Sequence, residues 1–243
     1  MTESAKLPRA GATARALRPM QRSRLYEQLV ERLLALIHEL DLTTGDRLPP
    51  ERELSANLGV SRASVRQALV VLEVQGLVEV RHGEGAILLD TRPDAAVLSA
   101  VEAHRRRLPE VIEAREALEV KLAALAAERR TDEDLVRIDV ALDKMETDIG
   151  RGERGLDGDE LFHGAVTLAA RSSLLADLMA EISTAIRESR IESLSQPDRP
   201  QQSLASHRKI AEAIRSGDPT VAAEAMADHI RLVSDVALLR DEA

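Results

Sequence analysis

The sequence has no cysteine and no tryptophan, and its 243 residues include one tyrosine and one phenylalanine. Without cysteine there is no disulfide framework, iron–sulfur cluster or thiolate zinc finger, so a metal must be held by His, Asp or Glu. Tyr26 and Phe162 cannot build the stacking platforms that single-stranded DNA and RNA binders use. These absences exclude an RNA-recognition sheet.

Long apolar runs are also missing. No stretch approaches the ~20 residues of a membrane span, and the N-terminus lacks the apolar core of a secretory signal. We therefore expect a cytoplasmic protein without a membrane partner. The net charge of −9 arises beyond residue 90, because residues 1–90 carry 12 Lys and Arg against 12 Asp and Glu. A neutral part with clustered arginines can still bind phosphate locally.

The first third of the chain contains two regions that differ in apolar spacing. Residues 1–20 are basic and lack apolar periodicity, which predicts a disordered tail. In residues 21–91, apolar spacing with glycine and proline breaks predicts three helices and then two short strands around the glycine-bearing tip RHGEG. This order predicts an N-terminal winged helix-turn-helix.

Strand signals are absent beyond this region. Residues 92–108 are interpreted as a linker and connecting helix, and residues 109–243 as an all-helical domain, an antiparallel bundle. The fold class is therefore mainly α. The predicted helical segments are 95–106, 109–130, 132–149, 157–170, 173–195, 200–216 and 218–240, and Pro109 is expected to separate the first two.

The third predicted helix, 62–75, begins with side chains that suit DNA recognition. Ser61 can cap it, and hydroxyls and arginines lie in its first turns, where a recognition helix reads base edges and holds phosphates. A flanking phosphate is within reach of the preceding helix, and the wing tip can enter the minor groove. The candidate DNA-binding residues are Arg52, Ser61, Arg62, Ser64, Arg66, His82 and Gly83. The alternative is that Arg62 and Arg66 form a solvated helix face paired with nearby glutamates.

The helical half contains four candidate metal ligands. Asp159 and His163 are four residues apart, so they share a helix face. His207 and His229 flank a Gly-Asp-Pro turn centred on residue 218, so an antiparallel helix pair hinged there brings both imidazoles to the same height. Three nitrogens and one carboxylate suit Zn, Ni, Mn or Co.

Each of these residues also has a simpler interpretation. A single His on an apolar helix is more often a core or surface residue than a ligand, and Asp159 can be a first-turn helix charge. His104, within His-Arg-Arg-Arg, is interpreted as part of a solvated linker.

The run LPPERELSANLGVSRASVRQALVVLEVQGLVEVRHGEG resembles the DNA-binding domain of GntR-family bacterial repressors. Three blocks match in order and spacing, and the resemblance implies DNA contacts at the same seven candidate residues. Ala63 stands where several relatives have Thr, which removes one polar contact.

The helical half looks like the FCD ligand-binding domain of the FadR subfamily, on the strength of EAREALEVKLAALAAERRTDEDL, DELFH, SHRKIAEAIRSGD and the later AxxAMxxHI. The resemblance implies that residues 109–243 form an effector-binding and dimerisation domain. It also implies a divalent metal on the same four ligands and Arg115 as a partner for an effector carboxylate. Arg115 and Glu119 can instead simply pair. Ser172 replaces an Asn of many relatives, so the ligand set can differ.

Together these features predict a metabolite-responsive bacterial transcriptional regulator, in the family's usual sense a repressor. It is expected to bind double-stranded operator DNA as a homodimer and to sense a small carboxylate at a divalent metal such as Zn, Ni or Mn. We do not expect an enzyme. Two alternatives remain open, a metal-dependent hydrolase built on a helical bundle and a ligand-independent DNA binder with a structural metal.

Overall fold

A computed structural model describes residues 22–81, 84–92 and 94–234. The elements in these ranges are α1 Arg22–Glu39, α2 Glu51–Leu58, α3 Arg62–Val74, β1 Val78–Arg81, β2 Gly85–Leu88, α4 Asp94–Arg129, α5 Asp132–Gly150, α6 Leu156–Ala169, α7 Ser173–Glu181, α8 Ser183–Leu194, α9 Arg199–Ser216 and α10 Pro219–Ser234. The mainly α fold class is confirmed. The predicted tail and the candidate residues His82 and Gly83 lie outside the described residues.

The N-terminal unit is a helix-turn-helix with a two-stranded wing. Helix α2 ends at Gly59, whose φ of 67° is left-handed, and α3 begins after Ser61, whose hydroxyl accepts the Ser64 N–H. Strands β1 and β2 pair antiparallel, with Val78 opposite Leu88. The core of the unit is formed by buried side chains of α1, α2, α3 and the wing, among them Leu33, Leu54, Val65, Leu72 and Leu88.

The helical unit packs α4, α5, α6, α9 and α10 around a second core that includes Phe162 and Met145. Helices α5 and α6 approach closely at Gly158, because a Cβ there would lie 2.4 Å from the backbone nitrogen of Met145. This contact requires glycine. It also holds the next residue, Asp159, deep in the bundle.

The α9–α10 connection has the turn that its sequence predicts. Gly217 follows α9 with a left-handed φ of 80°, and the Asp218 carboxylate accepts the backbone N–H groups of Thr220 and Val221 at the start of α10. The two helices therefore pack side by side, which brings their inward side chains together.

The predicted separation of two helices at Pro109 is wrong, because α4 runs unbroken through this residue. A proline removes one helical hydrogen bond, but packing compensates on both sides of it. Val97 and Val101 belong to the core of the N-terminal unit, whereas Leu122 belongs to the core of the helical unit. One helix thus spans both units.

The segment 173–195, predicted as one helix, is divided at Ile182, where φ is −102° and ψ is 9°. Helix α7 contains no fully buried residue, whereas α8 buries residues including Ile186, Ser189 and Arg190. The direction of α8 therefore follows its own packing against the bundle. This contact is not visible in the periodicity of the segment.

An arginine between α5 and α6 connects the two units. Arg154 donates to both carboxylate oxygens of Glu73 in α3, at 2.8 and 3.1 Å, and to the Val80 carbonyl of the wing at 3.3 Å. It also donates to the Ser195 hydroxyl just after α8. The helical unit thereby holds the C-terminal end of α3.

No helix in the described ranges has the length and apolarity needed to cross a bilayer.

Candidate functional site

Three imidazoles meet in the core of the helical unit. His163 comes from α6, His207 from α9 and His229 from α10, and all three are buried. One ring nitrogen from each lies within 4.8 Å of the others. The Nε2 atoms of His207 and His229 are 3.3 Å apart.

The fourth candidate ligand, Asp159, lies one turn before His163 on α6 and faces the same cluster. Its Oδ1 is 3.6 Å from Nε2 of His207, and its Oδ2 is 3.9 Å from Nε2 of His163. All four predicted ligands thus lie in one cluster. Asp159 and His163 share a face of α6, and His207 and His229 lie at the same height on α9 and α10.

The donor set fits a divalent cation. Two nitrogens that each lie ~2.0–2.1 Å from a tetrahedral ion are about 3.3 Å apart, which matches the spacing of His207 and His229. Burial lowers the pKa of His207 to about 3 and also lowers that of His229, so both rings are neutral, the form that binds metals. Burial opposes ionisation of Asp159, but Arg190 together with His163, His207 and Arg115 more than offsets burial. The pKa of Asp159 therefore lies below its ordinary value.

A buried chain of hydrogen bonds and ion pairs supports the cluster. Arg115 donates from Nε to Glu119 Oε1 at 2.7 Å, and Glu119 Oε2 lies 2.6 Å from Nδ1 of His163. Glu119 therefore orients the imidazole so that its Nε2 faces the other rings, as a carboxylate behind a metal-binding histidine does. The simple Arg115–Glu119 pair considered from the sequence exists, but it lies inside the site.

Arg115 also reaches α8, where Nη1 donates to the Ser189 hydroxyl at 3.1 Å. Its Nη2 is buried and has no hydrogen-bond partner among the described residues. A buried N–H group without an acceptor is unfavourable. Arg115 thus presents a donor that an anionic ligand can satisfy.

Sequence reasoning missed three residues of this site. Ser203 is buried one turn before His207, and its hydroxyl lies 3.5 Å from Asp159 Oδ1; the four-residue spacing could have identified it. Arg190 and Ser189 lie on α8 without any spacing relation to the ligands, and only the packing of α8 brings them to the cluster.

Most candidate DNA-binding residues within the described ranges lie in or just before the first two turns of α3, and Arg52 lies in the first turn of α2. The Ser61 and Ser64 hydroxyls are 2.8 Å apart, and Arg52 and Arg62 are exposed. Arg66 donates from Nε and Nη2 to the two carboxylate oxygens of Glu51, at 3.0 and 2.7 Å. The pairing with a nearby glutamate that was considered from the sequence is thus present for Arg66.

The interpretation of His104 as a solvated linker residue is wrong. Its side chain is 8% exposed, with Nδ1 3.0 Å from Glu188 Oε2 and Nε2 2.9 Å from Glu192 Oε1 on α8. Burial lowers its pKa, but the hydrogen bonds to both glutamates outweigh burial and raise the pKa to about 9. Both partners lie far away in sequence, so the surrounding arginines gave a misleading signal.

A winged helix-turn-helix joined to a separate helical unit with a buried imidazole cluster is the architecture of a two-domain DNA-binding regulator. Two family models match the chain. The model of bacterial regulatory proteins of the gntR family covers residues 25–88, and the FCD domain model covers residues 110–232. The chain belongs to the GntR family and carries an FCD domain.

Curated relatives agree with this assignment. HTH-type transcriptional regulator LutR from Bacillus subtilis is 33% identical over 209 residues, which are 83% of this chain and 95% of that protein. HTH-type transcriptional repressor NanR from Cronobacter sakazakii is 31% identical, with 89% of this chain and 86% of that protein covered. The Uxu operon transcriptional regulator of Escherichia coli is 36% identical over 65% of this chain and 63% of that protein.

Among solved structures, Streptococcus agalactiae GntR is similar, with 30% identity, a TM-score of 0.47 and coverage of 86% of this chain and 98% of that one. The family and its relatives are transcriptional regulators, so this chain is a regulator of transcription and not an enzyme.

Proposed function

We propose that this regulator binds a short pseudo-palindromic operator as a homodimer and represses transcription until a small organic acid occupies its helical domain. The observation that carries the proposal is the convergence of three imidazoles and Asp159 beside a buried arginine. One N–H group of this arginine has no hydrogen-bond partner in the described part of the chain. One relative is named a repressor, which supports the sign of regulation.

The DNA-reading surface in this proposal is the start of α3. Arg52 and Arg62 are exposed and can contact phosphates and base edges. Arg66 has to break its hydrogen bonds to Glu51 before it can contact DNA. His82 and Gly83 at the wing tip complete the proposed contacts. A homodimer follows because one winged helix buries little DNA surface, and a two-fold protein doubles the contact with a two-fold operator.

The effector site in this proposal consists of Asp159, His163, His207 and His229 as ligands of a divalent cation such as Zn, Ni or Mn, with Arg115 beside them. A cation held there supplies positive charge and coordination positions for an effector oxygen. Glu119 fixes His163, and the free Nη2 of Arg115 receives an effector carboxylate.

Helix α8 provides a route from this site to the DNA-binding unit. Ser189 contacts Arg115, while Ser195, just after the helix, shares Arg154 with Glu73 of α3. An effector that binds one arrangement of α8 more tightly than another shifts the position of α3 relative to the helical domain. The spacing of two recognition helices in the dimer then changes.

The ligand set is tested with the double variant His207→Ala and His229→Ala. We expect divalent metal content, measured by mass spectrometry, to fall close to zero while operator binding in a gel-shift assay persists, because α3 lies in the other unit. His38→Ala, which changes an exposed histidine of α1, is the matched control. Unchanged metal content in the double variant would refute these ligands.

A further inference from the structure

The effector site contains a second buried arginine that the proposed function does not use. Arg190 lies on α8, with Nε 3.1 Å from Asp159 Oδ2 and Nη2 3.9 Å from Glu119 Oε2. Neither Nε nor Nη2 makes a hydrogen bond of good geometry to a described residue. The guanidinium is therefore near two carboxylates without being satisfied by either.

Arg190 and Arg115 approach the cluster from different helices. Arg115 extends from α4 and reaches Ser189, the neighbour of Arg190 on α8. Each arginine keeps an Nη2 group that is buried and has no hydrogen-bond partner among the described residues. Burial has taken both Nη2 groups out of water without giving them a hydrogen-bond acceptor, which is unfavourable. An anion bound beside Glu119 can accept a hydrogen bond from each of them.

The charges around the cluster support the same conclusion. The positive charges of Arg115 and Arg190 are balanced by the carboxylates of Glu119 and Asp159. A divalent cation would add two positive charges to this buried group, which is costly unless they are compensated.

We propose that Arg190 is a second anion-binding residue of the effector site and that, with Arg115, it selects small dicarboxylates over monocarboxylates. A guanidinium suits this role because its planar fork can donate two parallel hydrogen bonds to one carboxylate. The inference rests on the proposed effector site and adds to it the charge of the effector.

The test compares two four-carbon 2-hydroxy acids, malate and 2-hydroxybutyrate, which differ in the second carboxylate. Calorimetric titration of the full-length, metal-loaded protein should give malate about tenfold or more tighter binding. Arg190→Gln should weaken malate about tenfold and leave 2-hydroxybutyrate within about twofold. Arg190→Lys, which keeps the charge but not the fork, should retain part of the preference.

Arg187→Gln is the matched control, because Arg187 is exposed on the same helix and pairs with Glu160. Metal content and circular dichroism should be equal in all variants. Equal weakening of both acids by Arg190→Gln, or loss of metal from it, would mean that Arg190 only positions Asp159 and would overturn the proposal.

Two further outcomes distinguish this inference from the proposed function. If both acids bind the unmodified protein equally, the dicarboxylate preference is wrong but the effector site stands, even where Arg190→Gln fails to fold. If neither acid binds the metal-loaded protein, the result counts against the effector site itself and therefore against this inference as well.

Discussion

Buried charged side chains in this protein occur as connected groups. Arg115, Glu119 and His163 form one such group in the helical unit, and His104 forms another with Glu188 and Glu192. Removing one member of a buried group leaves its partners without compensation, which destabilises far more than the loss of a surface ion pair. Single substitutions at these positions therefore have large effects.

The His104 group makes stability depend on alkaline pH. The pKa of His104 is raised from 6.5 to about 9 in the folded protein. Its stabilising effect is therefore complete below the unfolded pKa and is lost as pH rises through about 9. We expect His104→Gln to lower the free energy of unfolding by on the order of 2 kcal/mol at pH ~6, and by much less at pH ~10.

Urea unfolding between these pH values measures this difference. His38→Gln is the control, because His38 contacts Asp94 on the exposed surface. A His104→Gln defect that stays constant across the pH range would mean that the ring contributes packing and not charge.

At the residue scale, the sequence predicts positions that share a helix or a turn. The relation of Asp159 to His163, and of His207 to His229, follows from helical spacing and from one Gly-Asp-Pro turn. The partners of His104 lie 84 and 88 residues further along the chain. No local pattern encodes such a contact, so His104 and Arg190 could be interpreted only with the packing of α8 known.

At the element scale, the close contact of α5 with α6 gives a sharp prediction. A methyl group at Gly158 would overlap the backbone of Met145, so Gly158→Ala should destabilise the protein by about 1–3 kcal/mol. Gly150→Ala is the control, because nothing lies within 4 Å of a Cβ there, and it should be neutral or stabilising by up to about 1 kcal/mol. Chemical denaturation measures both, and equal stabilities would contradict the close contact.

Helix boundaries were predictable from the sequence where the helix ends carry capping residues. The Ser61 cap and Gly59 mark the limits of α2 and α3, and both features appear in the structure. The continuity of α4 and the break at Ile182 depend instead on what each helix packs against. Proline at 109 and apolar spacing across 182 therefore gave the wrong boundaries.

At the scale of the whole molecule, an apolar surface on α6 and α7 supports the proposed homodimer. Leu161, Leu168 and Leu174 are 54%, 63% and 69% exposed. Leu161 and Leu168 are seven residues apart and so lie on one face of α6, and large apolar side chains exposed on one face favour burial against a partner. We expect Leu168→Arg to convert a dimer into a monomer in light scattering and to weaken operator binding.

Val221→Arg provides the comparison, because Val221 is exposed on α10, away from α6 and α7 in the chain. It should leave the molecular mass unchanged. If the Leu168→Arg protein stays dimeric, the subunits associate through another surface, although the requirement for two DNA-reading units would remain.

The Arg154–Glu73 connection has a consequence for how the DNA-reading unit can move. Glu73 is near the end of α3 opposite Ser61 and Arg62. Its contact with Arg154 therefore holds the C-terminal end of the helix and does not involve the residues at its N-terminal end. Helix α4, which spans both units, and the packing of α3 against α8 also join the DNA-binding unit to the helical unit. The Arg154–Glu73 hydrogen bonds can break while both cores stay folded. A change in the orientation of the DNA-binding unit would therefore pivot on α4 and leave the fold of each unit unchanged.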